Sequence, residues 1–298
     1  MSDSMATAAP SINVPEGLRI NPKTRRITLK KPRPIKIVSL SDIHYPFAQH
    51  GLINHILEKN AGADFCVLNG DIFDAHDISF FPKNKIIPLY TEYRQAFHLV
   101  KRCSELFKYV LLLRGNHEDL YERKILKEVP ATAQFLLQKP LLQRIADGEE
   151  YVEPVSPAEH ARWVNHEPFK NVICPIMEDA QVAWWFGIGH TLFAHPSSPG
   201  GRTPGYLSRD FYKFINGKGH RPDCVCVGHV HRLNIAYQTS YVEIEQGALC
   251  TEMDYADSSR MRFRNNQVNG YAEVHQNEDG TINLNRTRVH CLQGMFQT

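Results

Sequence analysis

The chain has 298 residues, of which 42% are hydrophobic, 10% aromatic and 22% charged, with a formal net charge of +2. That length suits one large domain or two small ones, with a core that needs no disulfide or metal in order to fold. The near-neutral balance withholds the electrostatic argument for a nucleic-acid protein, no apolar run reaches the roughly 20 residues of a membrane span, and no secretory leader is visible.

In chain order, residues 1–15 are small and polar and read as a disordered lead-in. Residues 16–298 read as a single domain. Leu18 to Leu29 holds two short β-prone pieces around a turn, an edge hairpin. The basic runs Arg25-Arg26 and Lys30-Lys31-Pro32-Arg33 read as a solvated, poorly ordered arm.

A regular alternation follows. Ile35–Leu40 is a strand ending at Asp42-Ile43-His44, and Leu52 to Asn60 has helical spacing. Phe65–Leu68 is a strand ending at Asn69-Gly70-Asp71, and Leu89 to Leu106 is a long helix. Tyr109–Leu113 is a strand ending at Arg114-Gly115-Asn116-His117. Strand, polar end, helix and strand again is the pattern of βαβ units. Residues 118–180 are less regular and form an elaboration: Leu120 to Leu142 reads as helical with breaks near Pro130 and Pro140, and Glu149 to Pro175 shows no period. Strands dominate afterwards: Val182–Phe186 and Thr191–Ala194 around a Gly187-Ile188-Gly189 turn, Asp223–Val227, Tyr241–Ile244, and a closing hairpin of Tyr271–Val274 with Ile282–Val289.

The seven cysteines are scattered, odd in number and without a CxxC pair. Cys224 and Cys226, two apart in an apolar strand, share one face and read as small buried hydrophobes. The pattern fits a reducing compartment, and a cytoplasmic location is the expectation.

Five places share one feature: a short apolar run ends and polar ligands follow at once. They are Asp42-Ile-His44, Gly70-Asp71-Ile-Phe-Asp74, Gly115-Asn116-His117-Glu118, His195 after Thr191–Ala194, and Gly228-His229-Val-His231. In open α/β sheets the carboxyl ends of strands form one crevice, so all five converge. Carboxylate, imidazole and amide donors suit zinc, manganese or iron, and no thiolate stands at any of the five, which argues against a structural cysteine-rich zinc site. A pair of metals about 3.5–4 Å apart needs a bridging carboxylate, and Asp71 is the candidate. Gly70, Gly115 and Gly228, each preceding ligands, are expected to permit turns that other residues strain. Each motif alone is weak; their joint order carries the reading.

This ordered set resembles the calcineurin-like metallophosphoesterase superfamily over roughly Ile35 to Gly247. The resemblance implies an α/β fold, a four-layer α/β/β/α sandwich of two mixed sheets flanked by helices. It implies two divalent metal ions (manganese, zinc, iron or nickel): Asp42, His44 and His231 on one, Asn116, His195 and His229 on the other, and Asp71 bridging both. His117 would bind no metal and would protonate the leaving oxygen, after attack on phosphorus by a metal-bridging hydroxide. His195 is preferred to His190 as the lone histidine because the other ligands also follow their strands. Asp74 and Glu118 are expected to orient ligands or His117, with a helix-start carboxylate as the other reading of Glu118. Leu112-Leu-Arg-Gly-Asn-His-Glu118 also resembles the phosphoprotein phosphatases, but Asp74 is followed by Ala75-His76 rather than Arg-Gly, and His195 by Pro196-Ser197.

The implied activity is phosphate-ester hydrolysis by a phosphodiesterase, with nuclease action included, on a nucleic acid or nucleotide. The alternatives are a phosphomonoesterase and a non-catalytic scaffold of the same fold. The loop Pro196 to Gly205, with Arg202, and the turn Asn216 to Arg221 are candidate substrate contacts or plain surface. Trp163, Trp184 and Trp185 are read as core rather than base-stacking residues. No membrane is implied, and the oligomeric state is not legible.

Overall fold

Strands buried at nearly every position, on both faces, build two packed sheets. The computed structural model describes residues 12–78, 86–128, 139–153, 162–197, 203–251 and 267–295. Strands β1 (Leu18–Asn21) and β2 (Arg26–Leu29) form the expected hairpin. Then come β3 (Ile35–Leu40), α1 (His50–Lys59), β4 (Phe65–Asn69), α2 (Leu89–Leu106), β5 (Tyr109–Leu113), α3 (Asn116–Glu128), α4 (Leu141–Ala146), β6 (Glu149–Val152), β7 (Arg162–Asn165) and β8 (Val172–Ile173). The chain continues through β9 (Trp185–Ile188), β10 (Thr191–Ala194), α5 (Tyr206–Gly217), β11 (Cys224–Val227), β12 (Leu233–Tyr237), β13 (Val242–Gln246), β14 (Gly270–Gln276) and β15 (Arg288–Cys291).

One sheet has the order β15-β14-β3-β4-β5-β8 and the other β1-β2-β9-β10-β11-β13-β12. Both are mixed: β3, β4, β5 and β8 run parallel, as do β10, β11 and β13, with antiparallel strands at their flanks. Period-two alternation sorts the layers. Ile37, Phe65, Val67 and Leu111 face Phe193, Cys224, Cys226 and Ile244 between the sheets. Val38, Leu40, Cys66, Leu68 and Leu112 face the other way, onto buried residues of α1 and α2. Leu192, Val225 and Val227 pack under Leu207, Phe211 and Ile215 of α5. Helices, sheet, sheet, helix: this is the four-layer α/β/β/α sandwich. Cys224 and Cys226 share the inter-sheet face.

A polar group crosses the inter-sheet core. Gln246 Oε1 accepts from Ser39 Oγ (2.9 Å), Asn69 Nδ2 (3.2 Å) and Cys226 Sγ (2.9 Å). The network is only partly satisfied, since among the described residues Asn69 Oδ1 and Gln246 Nε2 find no hydrogen-bond partner. It ties the ends of β3, β4, β11 and β13 together, at the edge where the polar motifs begin.

Several sequence expectations are corrected. The strand expected at Val182–Phe186 is Trp185–Ile188, so Gly187 and Ile188 lie within it, and the turn falls at Gly189, whose φ is +54°. Gly187 fits there because a Cβ would meet Leu192 Cδ2 at 2.7 Å. The closing hairpin pairs β14 with β15, while Ile282 makes only a bridge to Gln276. The helix expected from Leu120 starts at Asn116, with Glu118 and Asp119 in its first turn, where carboxylates favour the helix N-terminus. The break near Pro130 lies outside the described residues. The expected basic arm is engaged: Arg25 stacks over the Trp185 ring at 4.6 Å, and Arg33 pairs with Asp64. Of the expected lead-in, residues 1–11 lie outside the described residues, and Asn13 Nδ2 reaches the Val172 carbonyl at 3.4 Å. Among the described residues no helix is long and apolar enough to cross a membrane.

Candidate metal centre

Each polar motif follows the carboxyl end of a strand: Asp42 and His44 after β3, Asp71 and Asp74 after β4, Asn116 and His117 after β5, His195 after β10, His229 and His231 after β11. The first three strands belong to one sheet and the last two to the other. The crevice therefore straddles both sheets.

The backbone is unusual where these residues sit. Asp42 (φ +53°), His44 (+48°), Asp71 (+50°), His229 (+84°) and His231 (+54°) all occupy the left-handed region. Residues with a Cβ are held there at a cost of about 1–3 kcal/mol each, and such strain clusters at functional sites. Backbone and carboxylate contacts hold the loops in this form. The N–H groups of Ile43 and His44 both donate to the Asp71 carbonyl at 2.9 Å, and the His229 N–H donates to Asp42 Oδ2 at 3.0 Å.

The three glycines are there for different reasons. Gly70 combines φ +80° with contact, since a Cβ would lie 2.5 Å from the His195 ring. At Gly115 and Gly228 the turn expectation gives way to close approach: a Cβ would lie 2.1 Å from Asp71 Oδ1 and 2.0 Å from Ser41 Oγ respectively.

All eight expected site residues come together. Asp71 Oδ2 is 3.0 Å from His195 Nε2, 3.7 Å from His44 Nε2 and 4.0 Å from His117 Nε2. Asp42 Oδ1 is 3.2 Å from His231 Nε2 and 3.9 Å from His44 Nε2. His44 and His231 bring their Nε2 atoms to 3.2 Å, and Asn116 Oδ1 is 2.6 Å from His229 Nδ1. His190 stands apart, at 3.3 Å from Asp223.

The far side of each ring fixes what the near side offers. His195 Nδ1 faces the Asn69 carbonyl at 2.7 Å, and His44 Nδ1 faces Asp74 Oδ1 at 3.0 Å. Both partners only accept, so both Nδ1 atoms carry the proton. In the neutral rings, the Nε2 lone pairs then point at Asp71, Asp42 and His231. His195 Nε2 is buried and forms no hydrogen bond. Lone pairs and carboxylate oxygens turned toward one another repel unless ring protons or cations lie between them, and this donor set fits a divalent pair in place of those protons. Asp71 is common to two such groups, one with His44 and His117 and one with His195 and His229.

The protein's own charges show the same tension. Burial would raise Asp42 and Asp71, but neighbouring histidines outweigh it and hold both carboxyls below their usual range. Burial would lower His195, yet Asp71 and Asp42 lift it to about 9. Burial and then the neighbouring His195 push His229 down to about 4.

Supporting residues lie further out. Glu92 of α2 accepts from the N–H groups of Asp74, Ala75 and His76, which braces the Asp74 turn from the first turn of α2, a role that no local pattern reveals. Cys250 and Gln267 also reach the site, unforeseen, from distant loops. Beside Asn116 and His195 opens a cavity of about 420 Å³ whose walls include Arg114, Trp184, Phe211 and Phe214. Trp184 thus borders the cavity while also packing on α5. Arg202 lies outside the described residues.

Fold and site together define an α/β sandwich protein with candidate metal-binding groups of His and Asp at its strand ends. The model of the calcineurin-like phosphoesterase family matches residues 35–233, and the chain belongs to that family. Among solved structures, the chain is similar to a single mutant of Vps29 from Entamoeba histolytica (10% identity, TM-score 0.39, 86% of this chain and 99% of that one). It is also similar to a predicted phosphoesterase from Streptococcus pneumoniae (11%, 0.30, 87% and 98%). A third likeness is to an archaeal phosphodiesterase (12%, 0.36, 87% and 100%). No curated protein matches the sequence.

Proposed function

We propose that this chain hydrolyses phosphodiesters with a pair of divalent cations. The observation that carries the reading is the position of Asp71, whose Oδ2 lies within 3.7 Å of His44 Nε2 on one side and 3.0 Å of His195 Nε2 on the other. Asp42, His44 and His231 would hold one cation, Asn116, His195 and His229 the other, with Asp71 shared. When bound, two such ions supply Lewis-acid charge to the phosphoryl group and acidify a water.

The remaining chemistry falls to His117. Its Nδ1 donates to the Asp74 carbonyl at 2.6 Å, so it is the imidazolium form, protonated on both nitrogens, whose Nε2 gives a proton to the leaving oxygen. Its ring meets that of His44 edge-on, with centroids 4.6 Å apart, at the rim of the paired clusters. A positioned histidine of this kind contributes about 10²–10⁴-fold.

The adjoining cavity supports a diester over a monoester. A monoester needs room for one group on phosphorus; the aromatic recess at Trp184, Phe211 and Phe214, next to Asn116 and His195, offers room for a second. Aromatic walls accept a nucleobase by stacking, which favours a nucleotide or a nucleic-acid strand.

The test is hydrolysis of bis-p-nitrophenyl phosphate beside p-nitrophenyl phosphate by apo protein supplied with manganese, zinc, nickel or magnesium. Metal-dependent cleavage of the diester is expected. Cleavage of the monoester alone would replace the diesterase reading with a phosphatase.

A further inference from the structure

The ligand set expected from the motifs contains no sulfur, yet one thiol reaches it. Cys250 is fully buried, and ligand-capable atoms of His44, His231 and Cys250 all lie within 4.8 Å of one another. The other buried cysteines behave differently: Cys66, Cys103, Cys174, Cys224 and Cys226 sit within apolar clusters, and Cys250 belongs to none of these.

The backbone at Cys250 is held more firmly than packing alone requires. Its carbonyl accepts from three side-chain amides: Gln49 Nε2 (3.0 Å), Gln267 Nε2 (2.6 Å) and Asn269 Nδ2 (3.0 Å). Gln267 acts at both ends, because its Oε1 faces His231 Nδ1 at 3.3 Å. One side chain therefore fixes the Cys250 backbone and the His231 ring together. The preceding residue is tied to the same centre, with the Leu249 N–H donating to the Asp42 carbonyl at 3.0 Å.

A second observation points to a cation at this spot. His44 Nε2 and His231 Nε2 lie 3.2 Å apart, their far nitrogens face Asp74 Oδ1 and Gln267 Oε1, and Asp42 Oδ1 adds negative charge 3.2 Å from His231 Nε2. Two nitrogens, a carboxylate and a sulfur converge.

We propose that the Cys250 thiolate is a ligand of the cation held by Asp42, His44 and His231. The inference rests on the reading that those three residues hold a cation. Ligation sends the thiol proton to solvent, as metal binding does at any cysteine ligand. Among the described residues no thiol joins Asp71, His195 and His229, so the two positions differ in softness. The thiolate favours zinc at the first over manganese or magnesium, while the second accepts the harder ions.

The experiment uses the full chain, stripped and reloaded with cobalt(II), its metal content fixed by elemental analysis. Wild type is expected to show a near-ultraviolet sulfur-to-cobalt charge-transfer band that disappears in Cys250→Ser with cobalt content kept. Zinc affinity should fall by about tenfold or more in that variant, the scale of a disturbed metal site, with manganese affinity unchanged. X-ray absorption of the zinc-loaded wild type needs no variant: a sulfur scatterer at about 2.3 Å is expected. Two zinc ions per chain surrounded only by nitrogen and oxygen, or a cobalt band that persists in Cys250→Ser, would overturn the assignment. A wild type that binds neither zinc nor cobalt would overturn the two-cation reading as well, and the metal analysis tells these failures apart.

Discussion

Glu118 grips the turn that carries Asp71. Its Oε2 accepts from the N–H groups of Asp71 (3.0 Å) and Gly115 (2.7 Å), and its Oε1 from Ile72 (2.8 Å) and Phe73 (3.1 Å). A single buried carboxylate thereby holds the left-handed Asp71 backbone and joins the second motif to the third. Removing it leaves four backbone donors without that partner. Glu118→Ala should lose about 3 kcal/mol of stability in denaturant unfolding, and the affinity for added manganese should drop about 10–100-fold. Unchanged metal affinity in a folded Glu118→Ala protein would show that the Asp71 turn holds itself.

The roles proposed for Asp71 and His117 separate cleanly by experiment. His117→Ala should keep its metal by elemental analysis and lose about 10²–10⁴ in turnover. Asp71→Asn should lose metal first, because the amide gives up the negative charge shared by the two clusters. Full turnover in His117→Ala would remove it from the mechanism.

Gly115 and Gly228 should tolerate no side chain, for reasons of space rather than dihedral angle. A Cβ at Gly115 would lie 2.1 Å from Asp71 Oδ1, and one at Gly228 2.0 Å from Ser41 Oγ, which itself donates to Asp42 at 2.6 Å. Overpacking of this kind costs about 1–3 kcal/mol. Either alanine variant should melt lower than wild type and bind manganese more weakly. Wild-type metal affinity in Gly228→Ala would mean that the Asp42 loop can move aside.

Away from the site, Glu273 of β14 gives a pH dependence of known sign. Burial would raise its carboxyl, but hydrogen bonds from His275 and Lys36 outweigh burial and lower it from the ordinary 4.5 to about 2. A depressed carboxyl stabilises the fold at pH above the unfolded value, and that contribution is lost as pH falls through the folded one. The gap in melting temperature between wild type and Glu273→Gln should therefore be widest near neutrality and shrink as pH drops from about 4.5 toward 2. A gap that widens on acidification would contradict the pairing.

Much of this candidate centre was legible in the sequence because each expected ligand follows a short run of apolar residues that reads as a buried strand. The break from Leu40 to Asp42, or from Ala194 to His195, marks strand end and site at once. Helix α5 carries Leu207, Phe211 and Ile215 at helical spacing, a pattern hidden by the Pro- and Gly-rich loop before it. Strands β6 and β7 pair across a connection that crosses residues 154–161, so neither shows its partner locally. Glu92, Gln267 and Cys250 were not legible at all. Each serves the site through a contact with a distant segment, and a lone residue in a helix or loop carries no period or motif. The strain at Asp42, His44, Asp71, His229 and His231 is likewise invisible in residue identity, since it comes from how the loops close on one another.

The central claim, a pair of cations sharing Asp71 and acting on a phosphodiester, is tested most directly by adding manganese stepwise to apo protein while following bis-p-nitrophenyl phosphate hydrolysis. Turnover should stay low through the first equivalent and rise with the second. Hydrolysis that is complete after one equivalent, or no hydrolysis with two bound, would contradict the account.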